Sequence, residues 1–271
     1  MNIRIWGLIY RHLCLYRTSW PRLLELVYWP TLQMCIWGFT TSYLIKSAPG
    51  SAAPAAPTAT AAIAGGALLG GVLLWEVTLR SQMGVAITFL EELWSRNLGH
   101  IFVSPIRPWE LIAAQIGVSI LRTLFGVLPA AGLAILLYAF DLFALGPILI
   151  LFFINLMVMG WWIALAVVSL ILRHGLGAEV LAWSVTFGLA PLSAVFYPVS
   201  VLPAVIQPIA LALPSTHVFE GMRAALLGEI RWDHLAAAAA LNIVWSITAA
   251  ALFAWQFRQA RQRGALLNLG E

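Results

Sequence analysis

The chain has 271 residues and carries a formal net charge of +4, from fourteen arginines, one lysine and eleven acidic residues. Hydrophobic residues make up 62% of it, charged residues only 10%, and the mean hydropathy is +0.91. This composition excludes an ordinary soluble domain, which needs a charged surface, and it offers no basic face interleaved with exposed aromatics for nucleic acid. The sequence therefore predicts an all-α integral membrane protein.

Residues 1–22 are predicted to form an interfacial helix. An apolar and aromatic stripe at helical spacing runs through them, made of Trp6, Ile9, Tyr10, Leu13, Tyr16 and Trp20. Arg4, Arg11 and Arg22 share another face. A helix of this kind lies in the headgroup plane with its aromatic side chains toward the lipid. The alternative is an ordinary juxtamembrane stretch whose arginines only mark the cytoplasmic side.

Six apolar runs that are long enough to cross a bilayer follow. We place them at 24–45, 61–83, 111–138, 146–172, 177–195 and 234–256. The fifth is interrupted by Pro191 and is followed directly by a segment rich in proline. With the N-terminus inside, eleven arginines fall on the cytoplasmic side and three basic residues on the other. The positive-inside rule then places both termini in the cytoplasm.

Residues 196–228 are too apolar for a solvated loop and too interrupted for one spanning helix. Four prolines leave room for about one turn of helix between them: Pro198, Pro203, Pro208 and Pro214. A short helix that contains Glu220 and Arg223 is predicted to end near Gly228. We interpret the segment as an external re-entrant hairpin, which survives only where protein or a water-lined cavity covers the broken backbone. Glu220 and Arg223 are candidates for an external gate, or simply a structural pair.

The longest cytoplasmic connection, residues 89–108, joins acidic residues to a sharp turn. Glu91 and Glu92 precede Arg96, so Glu92 can pair with Arg96 at i,i+4 on a helix. The chain then turns through Ser104, Pro105, Ile106, Arg107 and Pro108. A short, rigid, amphipathic element between two spans suits a membrane subunit that a cytoplasmic partner has to push.

Three parts of the chain, in this order, resemble the type-2 ABC exporter permease family: the interfacial helix, the segment 91–108 and the hairpin. The run PVSVLPAVIQPIALALPSTHVFEGMRAALLG is similar to the family's closing motif. In that motif a Pro-x-x-x-Leu-Pro run leads to a Leu-Pro and then to an Arg near a Leu-Gly. The resemblance covers nearly the whole chain, because the order and spacing of all three parts agree with it.

The resemblance implies a permease subunit of a bacterial exporter for polysaccharide, lipo-oligosaccharide, lipid or drug. Such a subunit forms a homodimer in the inner membrane and docks two separate ABC ATPase subunits. The residues that would couple to the ATPase are Glu91, Glu92, Arg96, Ser104, Pro105, Ile106 and Arg107. The sequence has no GxxxxGK[ST] phosphate loop, so the partner ATPase would bind ATP and Mg²⁺. This chain is then expected to hold no cofactor and no catalytic site.

Candidates for the translocation path are the ionisable and aromatic residues within spans. Glu76 and Arg80, four apart, are expected to neutralise each other. Arg122 is either a structural partner of Glu76 or a functional group of the path. We take Glu76 and Arg122 as path candidates. Trp161 and Trp162 lie near the middle of the fourth span, where they could line a path or simply fill space between helices.

Two other functions are weighed against the permease. A membrane-embedded enzyme acting on lipid-linked substrates needs converging acidic or Ser/His/Asp groups, and Glu91–Glu92 is the lone adjacent acidic couple. A secondary transporter needs carboxylates at mid-membrane, for which Glu76 and Glu179 are candidates. No HExxH pattern or Cys/His cluster occurs, so no metal site is expected. The sequence does not rank glycan, glycolipid, lipid and drug as substrates.

Overall fold

The structure is a computed structural model that describes residues 2–47, 59–95, 97 and 106–262. Asn2, residues 59–62 and Leu176 are described by their backbone alone. The regular elements in these ranges are helical. The α-helices are α1 (Asn2–Thr18), α2 (Trp20–Ser47), α3 (Ala59–Trp94), α4 (Pro108–Tyr138), α5 (Ile148–His174), α6 (Leu181–Leu189), α7 (Gln207–Leu211), α8 (Pro214–Leu226) and α9 (Trp232–Gln262). Short 3₁₀ helices cover Leu142–Leu145, Gly175–Ala178 and Val199–Val201.

Within the described ranges, four helices are long and apolar enough to cross a membrane. They are Ile63–Trp94 of α3, Pro108–Tyr138, Ile148–His174 and Trp232–Gln262. A helix bonds all its inner backbone groups within itself, which is why it can cross a layer that holds no water. These four agree with the predicted spans 61–83, 111–138, 146–172 and 234–256. The chain is therefore a multi-pass helical membrane protein.

The remaining two predicted spans turn out differently. The run 24–45 lies in α2, which has 28 residues and is long enough, but it is less apolar and is not among the four. The run 177–195 was wrong as one continuous helix, because α6 has only nine residues. Nine residues rise about 14 Å, roughly half of the hydrocarbon thickness. Pro191, which has no N–H to donate, lies in the turns just beyond α6.

The proline-rich segment folds into short helical pieces, as predicted. Pro198 directly precedes Val199–Val201, Pro208 lies in the first turn of α7, and Pro214 begins α8. At these positions a missing N–H costs nothing, since the first turn of a helix leaves it unbonded anyway. Helix α8 ends at Leu226, just before Gly228, whose φ of 86° is in the left-handed region. The depth of the proline-rich segment in a membrane stays a prediction.

Helix α1 forms as predicted, but its stripe of large side chains is divided. Trp6, Tyr10 and Leu13 are exposed, whereas Tyr16 is buried and Ile9 is half-buried. The buried side packs on α4, where Leu8 of α1 lies against Leu111. One part of the stripe therefore docks the helix on the protein, and the other part is left to face lipid.

Helix α3 is the centre of the molecule, with α2, α4, α5 and α8 packed around it. One cluster of buried side chains surrounds its first half and contains Phe152 and Phe219. A second cluster surrounds its second half and contains Phe89 and Ile163. Between apolar helices in lipid, close packing rather than exclusion of water supplies the attraction. The close packing of the surrounding side chains therefore fixes the position of α3.

Small residues bring three helices into close contact at the middle of α3. Gly84 faces Ser119 of α4, and Gly160 of α5 faces Thr78 and Ser81. The Ser119 hydroxyl donates to the Ser81 carbonyl oxygen at 2.8 Å. Small and hydroxyl side chains at such a crossing let helix backbones approach and bond in the membrane.

We predict that Gly160→Ala destabilises the protein. The added methyl group would lie against the Ser81 hydroxyl, 2.7 Å from the Thr78 carbonyl oxygen and 2.8 Å from the Gln82 nitrogen. Overpacking of this kind costs about 1–3 kcal/mol, more than the roughly 1 kcal/mol that alanine gains in helix propensity. Thermal unfolding of the purified protein in detergent measures the difference.

Gly132→Ala is the matched control, because nothing lies within 4 Å of a methyl group added at that position of α4. It is expected to be neutral or slightly stabilising. A Gly160→Ala protein as stable as the Gly132→Ala protein would contradict the close contact between α3 and α5.

Candidate functional site

The structure describes both ends of the predicted coupling segment. Glu91 and Glu92 lie in the last turn of α3, and Ile106 and Arg107 directly precede α4. The other predicted coupling residues, Arg96, Ser104 and Pro105, lie outside the described residues. The structure therefore shows this surface through the contacts that both ends make with α1.

Glu92 is a buried carboxylate that holds α1 in place. Its residue is 1% exposed. Arg11 of α1 donates from Nη1 to Oε1 at 2.7 Å and from Nη2 to Oε2 at 3.1 Å. Asn97 adds a bond from Nδ2 to Oε2 at 2.7 Å. A buried carboxylate needs partners of this strength, and the two-pronged arginine bond is the strongest of them.

Two further ion pairs join the start of α2 to the end of α3, and α1 to the start of α4. Arg22 Nη1 lies 3.6 Å from Glu91 Oε1, and Arg4 Nη1 lies 3.8 Å from Glu110 Oε2. Glu110 also accepts the backbone N–H of Arg107 at 2.8 Å, which fixes the start of α4. Arg4, Arg11 and Arg22 are about equally exposed, but the Arg4 and Arg22 pairs are too long for a hydrogen bond, so each contributes little alone. The Arg11–Glu92 bond is the strong contact.

His12 places a titratable group beside Glu92. It is 2% exposed, and its Nε2 lies 3.5 Å from Glu92 Oε1. Burial lowers the pKa of His12 below its ordinary value, and the charge of Glu92 opposes that shift. The ring is accordingly neutral at neutral pH, and the charge of Glu92 is matched by Arg11.

Two adjoining cavities lie between α2, α3 and α6. The larger one has a volume of about 340 Å³ and is lined by Glu76 and by apolar side chains of all three helices. The smaller one, of about 80 Å³, is lined by Tyr16, Arg22 and Arg122 among others. Trp183 lines both, so that the two form one groove. Both predicted ionisable path candidates therefore border the groove.

The ion pairs inside the groove agree with one prediction and correct another. Arg80 Nε donates to Glu76 Oε2 at 3.1 Å, as the i,i+4 spacing predicts. The pair of Arg122 with Glu76, one of the two roles predicted for Arg122, was wrong. Arg122 instead lies over the ring of Tyr16, 5.5 Å from its centroid, and its Nη1 is buried with no hydrogen-bond partner among the described residues. Arg80 is closer because it lies one turn away from Glu76 on the same helix.

Trp161 and Trp162 hold helices together in this structure. Trp161 Nε1 donates to Ser119 Oγ of α4 at 3.2 Å. Trp162 Nε1 donates to Asn242 Oδ1 of α9 at 3.1 Å, and its ring stacks on Trp245 at 5.3 Å. Buried tryptophans normally find such partners for their N–H. A role in lining a path stays a prediction for both.

Glu220 and Arg223 form the predicted structural pair, with Arg223 Nη2 at 3.2 Å from Glu220 Oε1. The same Glu220 oxygen accepts the backbone N–H of Val199 at 2.8 Å, and Arg223 donates to the Ala194 carbonyl oxygen at 2.9 Å. The pair therefore ties α8 to the turns that follow α6. Its action as a gate stays a prediction.

Among the residues that the structure describes, no group of three or more His, Cys, Asp or Glu side chains is placed to hold a metal ion.

A family of known proteins matches most of the chain. The family described as ABC-2 type transporter matches residues 5–227. No curated protein matches the chain. The matched range runs from Ile5 of α1 to Leu227, just beyond α8, and it contains the groove, the Arg11–Glu92 bond and the Glu220–Arg223 pair.

We predict that Glu92→Gln releases α1. A neutral amide cannot accept the two-pronged arginine bond, and hydrogen bonds between charged groups contribute about 1.5–3 kcal/mol. Hydrogen–deuterium exchange of the detergent-purified protein should show faster exchange of the amides of α1, while those of α5 keep their protection. Glu229→Gln, at an exposed position in the described chain, is the control. Unchanged exchange in α1 would mean that the Arg11–Glu92 bond does not hold this helix.

Proposed function

Because the chain belongs to the ABC-2 type transporter family, we propose that it is the permease subunit of an ATP-driven exporter. In this proposal two copies form the translocation path in a bacterial inner membrane, and two separate ABC ATPase subunits drive them. The cargo is amphipathic: a glycan, glycolipid, lipid or drug. The observation that carries the proposal is the family match over residues 5–227.

The distribution of charge supports the proposed orientation. Eleven arginines fall on one side of the predicted spans and three basic residues on the other. With both termini in the cytoplasm, α1 and the segment between α3 and α4 lie on the ATPase side. Residues 196–228 then lie on the outer side, where the Glu220–Arg223 pair would be able to control release. Six crossings, counting α2 and the run 177–195, are part of this proposal.

The contacts around Glu92 suggest how a push from the ATPase would reach the groove. Helix α3 ends at the coupling segment, and the same helix carries Arg80 and Glu76 into the groove. Arg80 precedes Glu91 by eleven residues, about 17 Å along one continuous helix. A displacement of the segment would therefore move α3 and the attached α1 together, since buried, close-packed contacts hold both.

We predict that Arg107→Glu weakens the association with the ATPase subunit by about tenfold or more, because the reversed charge would oppose a partner that has been complementary to arginine. The backbone N–H that bonds to Glu110 is retained, so α4 still starts normally. Deletion of 104–108 is expected to abolish coupling altogether. Co-purification with a tagged partner ABC ATPase, and ATP hydrolysis by the reconstituted pair, measure these effects.

Arg258→Glu is the control for a reversed charge on the same predicted side, since Arg258 is exposed near the end of α9. Size-exclusion profiles and thermal unfolding verify that all variants are folded. A folded deletion variant that still assembles and couples hydrolysis to transport would refute the role of this segment.

A further inference from the structure

We infer that the two adjoining cavities form one binding site for an amphipathic anion, with a phosphate-type head at Arg122 and Tyr16 and an apolar tail in the larger cavity. This inference rests on the proposed export function and assigns that groove a substrate class.

Two donors without partners mark the place of the head. Arg122 Nη1 and Tyr16 Oη are both buried, and neither has a hydrogen-bond partner in the described part of the chain. Both side chains line the same cavity of about 80 Å³. Leaving buried donors unbonded costs about 1–3 kcal/mol each, and more for a charged group. A ligand that brings oxygen atoms to this point would satisfy both.

The chemistry of the two donors favours an anion over water alone. A guanidinium group is always charged and bonds phosphate or carboxylate oxygens through its planar fork. Burial raises the pKa of Tyr16, so that its hydroxyl keeps the proton and donates it in a hydrogen bond. A cavity of this size accommodates several waters or one phosphate-sized group.

The neighbouring charges leave Arg122 as the centre of attraction. Arg22 is paired with Glu91 at 3.6 Å, and Arg80 with Glu76 at 3.1 Å. Glu25 also lines both cavities, but it is exposed at their edge, where water screens its charge. Arg122 has no carboxylate within 4 Å in the ranges described. Its side chain lines the smaller cavity, which Glu91, the partner of Arg22, lines as well.

The larger cavity provides the place for an apolar tail. Trp29 of α2, Leu79 and Met83 of α3, and Trp183 and Phe187 of α6 line its volume of about 340 Å³. Met83 and Trp183 also line the smaller cavity, so a head and a tail joined by covalent bonds can occupy both at once. An apolar pocket with a few converging polar groups is the usual form of a ligand site.

The site lies near the start of α2, where Arg22 and Glu25 follow the turn from α1. In the proposed orientation this is the level of the inner-leaflet headgroups. The cargo would therefore be taken from the inner leaflet, with its head bound beside α1 while its tail remains among apolar side chains.

The test uses the full-length protein in a neutral maltoside detergent, titrated with dodecyl phosphate below its critical micelle concentration. Dodecanol supplies the tail without the charge, and inorganic phosphate supplies the head without the tail. Binding is followed by tryptophan fluorescence, to which Trp183 should contribute, and by the shift in thermal unfolding temperature. Trp183→Phe should reduce the fluorescence change and leave the thermal shift in place.

Dodecyl phosphate is expected to bind more tightly than either of the other two probes. Arg122→Gln should weaken this binding by about tenfold or more, and Tyr16→Phe by about threefold to tenfold, as expected for a charged and a neutral donor. Arg17→Gln is the control, because Arg17 is exposed on the same helix as Tyr16. Arg122→Lys keeps the charge, and it provides a folded variant with intermediate affinity if the glutamine variant unfolds.

Equal affinity of wild type, Arg122→Gln and Arg122→Lys for dodecyl phosphate would overturn the inference. Equal binding of dodecanol would reduce the groove to an apolar pocket, and equal binding of inorganic phosphate would make it a site for the free ion; either result also overturns it. Co-purification with the ATPase subunit is scored on the same preparations. If the chain assembles with the ATPase but substitution of Arg122 leaves ligand binding unchanged, the anion site alone is refuted. If the chain never assembles with the ATPase, the permease function is refuted.

Discussion

The bond between Arg11 and buried Glu92 is the contact on which the functional surfaces depend. It attaches α1 to the end of α3, and α1 carries Tyr16 to its place under Arg122. The same carboxylate belongs to the segment that we assign to ATPase docking. A buried carboxylate that lost its arginine would have to find water or a proton, which favours the docked position of α1 strongly over a detached one. One ion pair therefore joins the docking surface to the head of the groove.

The stiffness of α3 makes this connection mechanically useful. Its middle is held by Gly84 against α4 and by Gly160 against α5, where there is no space even for a methyl group. Packed interfaces of this kind shift between discrete arrangements rather than deform gradually. A force applied beyond Glu92 would thus be carried along α3 as a movement of the whole helix. The groove, with its unfilled space, is one part of the molecule that can change shape.

The sequence predicted what depends on local pattern. Apolar runs located α3, α4, α5 and α9, proline spacing located the short helices before α9, and i,i+4 spacing gave the Glu76–Arg80 pair. These features are set by residues within a few turns of one another. The family resemblance, confirmed over residues 5–227, came from the order of such features along the chain.

What the sequence missed depends on contacts between distant residues. A pair of Arg122 with Glu76 was one expectation because both are ionisable at similar depth, yet a partner four residues away is present whatever the tertiary fold does. The partner of Glu92 is 81 residues away, and no periodicity reveals it. The spacing of seven between Arg4 and Arg11 did indicate such contacts, since it places both side chains on one face of α1, where they can pair with carboxylates of a neighbouring helix.

The two ends of the proposed path are held by different ion pairs, and this difference bears on the direction of transport. Near α1, the strong bond of Arg11 to Glu92 joins a separate helix to the core, and an arginine with no carboxylate partner lies close by. At the other end, Arg223 and Glu220 are paired to each other and to backbone groups at Ala194 and Val199, although Arg223 Nε is buried without a partner among the described residues. An anionic cargo would meet an arginine without a carboxylate partner at the first end, and an arginine already paired with Glu220 at the second. In the proposed orientation this difference would favour loading beside α1 and release beside α8, which is the direction of the proposed export.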